Sequence, residues 1–189
     1  MARLTAFTAL GAAAARDETI GGIRISEIAG IDLASLAVRR GGDSAVKRVA
    51  TKMFGGLPSA GGSLSKGGDS IIWMGAGQYL IEAGADMQDN AAARITAAFG
   101  AAASVTDQSD AYVRFDLEGD TVPAMLERLS AADSRKMGAG AAVRTPIHHM
   151  LCLLVCRESG RRFTVYGPRS SAASLHHALT AAAGSLPRR

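Results

Sequence analysis

The sequence predicts an α+β fold of alternating strand pairs and helices. Three observations carry this: a period-two stretch at 111–117, a helical apolar stripe over 43–54 closed by Gly55 and Gly56, and a dense apolar run at 147–157. With 189 residues, 48% of them apolar and 20% charged, the chain is ordinary for a globular protein of one larger domain or two small ones. We divide it into an N-terminal arm (1–19), a small β-β-α subdomain with a Gly/Ser-rich loop (20–68) and a main α+β domain (69–189).

Taken in order, 22–29 carries Ile23, Ile25 and Ile28 at strand spacing, and 31–38 follows as a second extended segment, so the two form a loose β pair. Val46, Val49, Ala50, Met53 and Phe54 then repeat at helical spacing behind the cap candidates Asp43 and Ser44. Residues 55–69, rich in Gly and Ser, read as a flexible loop. Short strands at 70–74 and 78–82 are joined by Gly75, Ala76 and Gly77 as a hairpin. Asp89 or Asn90 caps a helix whose face is Ala92, Ile95 and Phe99, ended by Gly100. Strands follow at 104–106 and 111–117, the second with Val113, Phe115 and Leu117 on one face and Tyr112, Arg114 and Asp116 on the other.

Asp120 caps the next helix, with Val122, Met125, Leu126 and Leu129 buried and Pro123 tolerated in its first turn. The run 147–157 is a strand apolar on both faces, central in its sheet or covered by a partner. A turn at Glu158, Ser159 and Gly160 leads to a strand at 163–166. The last helix starts after Pro168, Arg169 and Ser170 and turns Leu175, Leu179 and Ala182 inward. The order is strand, strand, helix, repeated about four times. Over 70–157 it gives a β-α-β-β-α-β unit, the split arrangement of ferredoxin-like folds.

Composition excludes several functions. No apolar run reaches the roughly 18–20 residues that span a bilayer. The start resembles a signal peptide, but its apolar run is Ala and Thr, and a frayed cytoplasmic N-terminus is expected. The formal net charge is +4, scattered in doublets such as Arg39–Arg40 and Arg161–Arg162 with few aromatics interleaved, which argues against nucleic acid. Cys152 and Cys156, on one strand, would lie about 13 Å apart at about 3.3 Å per residue. That is beyond the roughly 7 Å of a disulfide and fits two reduced thiols.

Motifs with chemistry are equally spare. Lys66 lacks the flanking pattern of a phosphate loop, and Gly75 and Gly77 lack the third glycine of a dinucleotide fingerprint, Leu80 standing there. His148 and His149 on a strand would point to opposite faces, and His176 and His177 on a helix diverge, so neither pair is a chelate. Asp107, Asp110, Asp116, Glu118 and Asp120 do not match a calcium loop. Asp107, at a strand end near Tyr112 and Arg114, is the one acid that could reach a ligand, although a solvated turn explains it as well. Ser170 and Ser171 lack a nucleophile elbow and suit helix capping, with Arg169 placed to meet an anion. We expect no catalytic, cofactor-binding or metal residues on this chain.

The ordered block IIWMGAGQYLIEAG, then VTDQSDAYVRFDLEG, a capped helix, a long apolar strand and FTVYGPRSSAASLHHAL resembles the gamma subunit of heterotetrameric sarcosine oxidase. The resemblance covers about 20–183 and is most specific around Trp73, Asp107 to Arg114, and Arg169 with Ser170. The segment SAADSRKMGAG departs from the Gly-Cys and Asp-Leu of the family. The resemblance implies a fold like the folate-binding domain of the glycine-cleavage aminomethyltransferase. It also implies an accessory, non-catalytic role in an oxidoreductase acting on CH-NH donors, which demethylates sarcosine, releases peroxide and passes the one-carbon unit to tetrahydrofolate. FAD, FMN, NAD and tetrahydrofolate would sit on partner subunits. Those partners would be the large flavin- and folate-binding alpha subunit, the FMN-carrying beta subunit and the small zinc-binding delta subunit. Two alternatives stay open: a free-standing folate-binding or one-carbon transfer domain using Asp107 or Arg114, and a homodimeric regulatory module.

Overall fold

The structure, a computed structural model, describes residues 7–84 and 90–187; the cap candidate Asp89 lies outside them. In chain order the elements are β1 (Asp17–Ile20), β2 (Ile23–Ile28), β3 (Asp32–Val38), α1 (Asp43–Phe54), β4 (Ser63–Lys66), β5 (Asp69–Gly75), β6 (Gln78–Ala83), α2 (Ala91–Phe99), β7 (Ala103–Asp107), β8 (Tyr112–Glu118), α3 (Val122–Leu126), β9 (Ala142–Ile147), β10 (Met150–Glu158), β11 (Arg162–Pro168) and α4 (Ala172–Gly184). The described strands form two antiparallel sheets, ordered β1-β2-β8-β11-β10-β9 and β4-β5-β6-β3-β7. No helix among the described residues is long and apolar enough to cross a membrane.

The chain divides into two compact units, one from Met1–Ala29, Ala111–Ala139 and Arg144–Arg189, the other from Gly30–Asp110 and Gly140–Val143. In the second unit, alternation puts Ala34, Leu36, Ile71, Tyr79, Ile81 and Ala103 on the sheet face that meets Val46, Ala50 and Phe54 of α1 and Ile95 and Phe99 of α2. Helix α1 stops where Gly55, at φ 82°, donates its N–H to the Thr51 carbonyl. Helix α2 starts where the Asn90 side chain accepts from the Ala93 N–H at 3.1 Å.

In the first unit Ile25, Phe115, Leu117, Phe163 and Val165 are buried, as are Leu126 of α3 and Leu175 and Leu179 of α4. Gly167 of β11 packs closely against α4. A Cβ there would lie 2.3 Å from Leu175 Cδ2 and 3.4 Å from Cys152 Sγ, so a larger residue would force the Leu175 side chain to move.

The two units share one topology. In the second, β3-α1-β5-β6-α2-β7 has the spatial order β5-β6-β3-β7, the split β-α-β arrangement, with β4 added at the edge. In the first, β8-α3-β10-β11-α4 repeats it with β9 at the edge, and the strand that would follow α4 is β2, supplied from the N-terminal end.

Several expectations are corrected. The split unit does not run over 70–157, because β7 and β8 belong to different sheets. For the same reason β2 and β3 are not a pair: β2 joins β1 and β8, and β3 joins β6 and β7. The 55–69 segment is not all loop, as β4 pairs with β5 there, and a domain boundary at 68/69 falls inside that hairpin. Neither Asp43 nor Ser44 caps α1. Gly42 stands at the cap, its carbonyl accepting from Val46, and Asp43 is already in the first turn. Asp120 does not cap α3, because the Val122 N–H turns back to the Gly119 carbonyl and leaves Thr121 at the cap. Ser170 lies in a short 3-10 turn, and Ser171 precedes α4 without a side-chain cap bond. On α4 it is Ala183, not Ala182, that is fully buried.

The 147–157 run is broken by a turn at His148 and His149, which separates β9 from β10; β10 lies between β9 and β11. Both histidines are left-handed, at φ 46° and 70°, the conformation of a two-residue hairpin turn that twists with its strands. The equivalent β4–β5 turn uses Gly67 and Gly68, at φ 60° and 89°. Replacing His148→Asn together with His149→Gly removes the steric penalty of two left-handed side chains and raises stability by about 1 kcal/mol. Urea unfolding reads this as a higher midpoint; a lower one would show that the imidazoles themselves stabilise the turn.

Candidate functional site

Strands β8, β10 and β11 assemble the largest polar cluster among the described residues. The registers Asp116↔Thr164 and Arg114↔Tyr166 put four polar side chains on one face. Asp116 accepts from Arg114 Nε at 2.9 Å, Arg114 Nη2 at 2.6 Å and Thr164 Oγ1 at 2.8 Å. Arg157 donates from Nε to Thr164 Oγ1 at 3.0 Å and from Nη2 to Tyr166 Oη at 2.7 Å. Thr164 and Tyr166 are fully buried. The cluster brings together two guanidiniums and one carboxylate. Its carboxylate, taken by three donors, is an anchor rather than a base.

Asp107 serves a turn. It accepts from the Ser109 N–H at 2.9 Å, from Ser109 Oγ at 2.8 Å and from Asn90 Nδ2 at 3.3 Å. These bonds hold its carboxyl below the usual range, those from the Ser109 main chain and hydroxyl first. Asp107 belongs to the second unit, whereas Tyr112 and Arg114 belong to the first, where Arg114 is paired with Asp116. Asp110 lies in the same turn, and Asp120 stands 3.6 Å from Arg161 at the surface. Glu118 is 3.8 Å from the same arginine.

The histidines separate. His148 and His149 are exposed, their rings 5.4 Å apart in the turn. His176 is buried against Phe115, with Nε2 at 2.5 Å from Glu18 Oε1 of β1, while His177 faces outward. No group of three or more His, Cys, Asp or Glu side chains among the described residues could hold a metal. Arg169 donates to the Phe7 carbonyl at 3.2 Å. Cys152 and Cys156 share β10, both buried and unbridged. Burial pushes the Cys152 thiol up to about 11 and also raises Cys156, whose Sγ donates to the Met137 carbonyl.

Two open clefts lie in the first unit. One, of about 770 Å³, is lined by Gly21, Gly22, Asp120, Thr121, Ala124, Arg135 and Pro187, its charged groups Asp120 and Arg135 engaged by Arg161 and Glu127. The other, of about 490 Å³, lies at β1 and α4 and contains the His176–Glu18 contact. Sequence reading missed Arg157, Thr164, Glu18 and Glu27 as members of a constellation. The available signal was alternation in β11, which sets Thr164 and Tyr166 apart from Phe163 and Val165.

No family model matches the chain, and no curated protein matches its sequence. The fold is nevertheless one seen in aminomethyltransferases. The glycine cleavage system aminomethyltransferase T from Bartonella henselae is similar at a TM-score of 0.55 and 13% identity, over 87% of this chain and 53% of that one, so this chain spans about half its length. A chain of heterotetrameric sarcosine oxidase from Corynebacterium sp. U-96, solved with pyrrole 2-carboxylate, is similar at a TM-score of 0.74 and 23% identity, over 88% of this chain and 87% of that one. The protein thus has the mixed α/β fold of these structures.

Two outcomes follow. Asp116→Ala leaves Arg114 and Thr164 without their shared acceptor and lowers stability by about 1.5–3 kcal/mol in urea unfolding; a loss below about 0.5 kcal/mol would mean water replaces the carboxylate. Since the thiolate is the reactive form, Cys152 alkylates slowly at pH 8 and faster as pH rises toward 11. Stability falls across the same window, because the unfolded chain loses this proton first. Fast alkylation of the folded chain at pH 8 would contradict the burial.

Proposed function

We propose that the chain is the accessory gamma subunit of a heterotetrameric sarcosine oxidase. The observation that carries this reading is the likeness to a chain of that enzyme over nearly the full length of both. The acids of this chain suit it, since Asp116 and Asp107 are committed to structural hydrogen bonds and not aimed at a substrate. In this reading FAD, FMN, NAD and tetrahydrofolate reside on the alpha and beta subunits, a delta subunit completes the assembly, and the complex works in the cytoplasm, where buried thiols stay reduced. The isolated chain does not oxidise sarcosine.

A second reading, a free-standing folate-binding or one-carbon transfer domain, is favoured by the aminomethyltransferase likeness over 87% of this chain.

Purifying the tagged chain from its own cells distinguishes them. A co-purifying yellow assembly that releases peroxide with sarcosine is the expected result. A colourless single species that binds tetrahydrofolate by calorimetry would replace the subunit reading with the second one, and sarcosine oxidation by the chain alone would overturn the accessory role.

A further inference from the structure

The solvent face of α1 is cationic. Val46, Ala50 and Phe54 turn into the core, which leaves Lys47 and Thr51 in one exposed row and Ser44, Arg48 and Lys52 in another. Lys66 of β4 reaches the same helix, its Nζ donating to the Lys52 carbonyl at 3.2 Å. Among the described residues Lys47, Arg48, Lys52 and Lys66 form no ion pair.

The acids of the second unit do not cancel these charges. Asp43, in the first turn of α1, is about 13 Å from Lys52 along the axis at about 1.5 Å per residue. Asp69, opposite Lys66 in the β4–β5 hairpin, is taken by Arg94 and the Gly84 N–H. Asp32 is taken by the Ala91 N–H and Ser109. Glu82 alternates with Ile81 and so lies on the sheet face away from the helices, while Asp107 and Asp110 belong to β7 and its turn, at the sheet edge opposite β4. Helix α2, packed on the same core, exposes Ala93, Thr96, Ala97 and Ala98, none of them charged. The carbonyl end of α1 offsets about half a charge. Four cations against Asp43 and that dipole leave the face positive.

One apolar side chain stands beside them. Leu64 shares a face of β4 with Lys66 and is exposed; its Cδ1 lies 3.2 Å from where a Cβ would stand on Gly56, just past α1. A positive face with one apolar contact matches an acidic polypeptide segment carrying an apolar side chain. Single-stranded nucleic acid needs aromatics to stack on, whereas Phe54 is buried and Trp73 packs against the core. A lipid surface needs an apolar helix face to enter it, and α1 spends its own on the core.

We propose that this face docks an acidic segment of a partner protein, its carboxylates on Lys47, Arg48, Lys52 and Lys66 and an apolar side chain on Leu64. The surface is made by this unit's own residues, and it stands whichever reading of the function holds.

The test is fluorescence anisotropy of the full chain with a labelled peptide repeating Glu-Glu-Leu, compared with one repeating Glu-Glu-Ser, an oligothymidylate of equal charge and phosphatidylserine vesicles. Saturable binding of the Leu peptide that weakens as salt is raised, and is tighter than that of the other probes, is expected. Arg48→Gln with Lys52→Gln weakens it by about fivefold or more. Arg144→Gln with Arg162→Gln removes the same net charge from exposed, unpaired positions of the first unit and changes it by less than about twofold. Leu64→Ser removes the preference for the Leu peptide. Glutamine keeps the helix propensity of the residues it replaces, and an unchanged melting temperature checks the fold. Equal weakening by the two double variants, tighter binding of the oligothymidylate or the vesicles, or no saturable binding at low salt would overturn the proposal.

Discussion

The first unit depends on the pairing of β2 with β8. Strand β8 is bonded on one side to β11 and on the other to β2, in the registers Arg162↔Glu118 and Arg24↔Glu118. Without β2 the β8 backbone would present a row of unpaired amides and carbonyls, an open edge that invites aggregation. The pairing joins segments separated in sequence by Gly30–Asp110 of the second unit, so it carries the loop-closure cost of a long intervening chain. It also delivers Glu27 to the sheet, and with it the arm residues Leu10 and Arg16, whose N–H groups end on that carboxylate.

Charge in this protein is organised by hydrogen-bond saturation. Asp116, Asp107, Asp69 and Glu27 each accept from two or more donors, with Arg94 and the Gly84 N–H completing the set at Asp69. At Asp107 these bonds hold the carboxyl below the usual range. The thiols are shielded by burial instead, which favours the neutral form. Among the described residues the exposed large apolar side chains are Phe7, Leu64 and Leu151.

Much of the local structure was legible. The stripes at Val46, Ala50 and Phe54 and at Ile95 and Phe99 form helices, the Gly75–Gly77 hairpin closes between β5 and β6, and the alternation of Val113, Phe115 and Leu117 buries that face. The cap at Asn90 was legible because one side chain and one amide three residues on suffice to define it. Caps failed where the chain direction before the helix decided the matter, as at Asp120, whose neighbour Gly119 turns the backbone so that Val122 bonds to Gly119 itself. The His148–His149 turn was hidden inside an apolar run because histidine carries no turn signal comparable to glycine.

The sequence by itself determined most of the helices and strands, though not β1, β4 or β9, together with their apolar faces and the separation of the two thiols, since each follows from spacing along one strand or one helix. The tertiary structure alone decided which strands became neighbours. Adjacent segments such as 22–29 and 31–38 went to different sheets, while β2 found β8 and Glu18 found His176. Pairing is a property of the closed sheet, in which every edge competes for the same backbone partners, and local periodicity fixes a strand's faces without naming its neighbour. The polar cluster on β8, β10 and β11 and the cleft at β1 and α4 are products of that choice of neighbours, and so they emerged only with the fold.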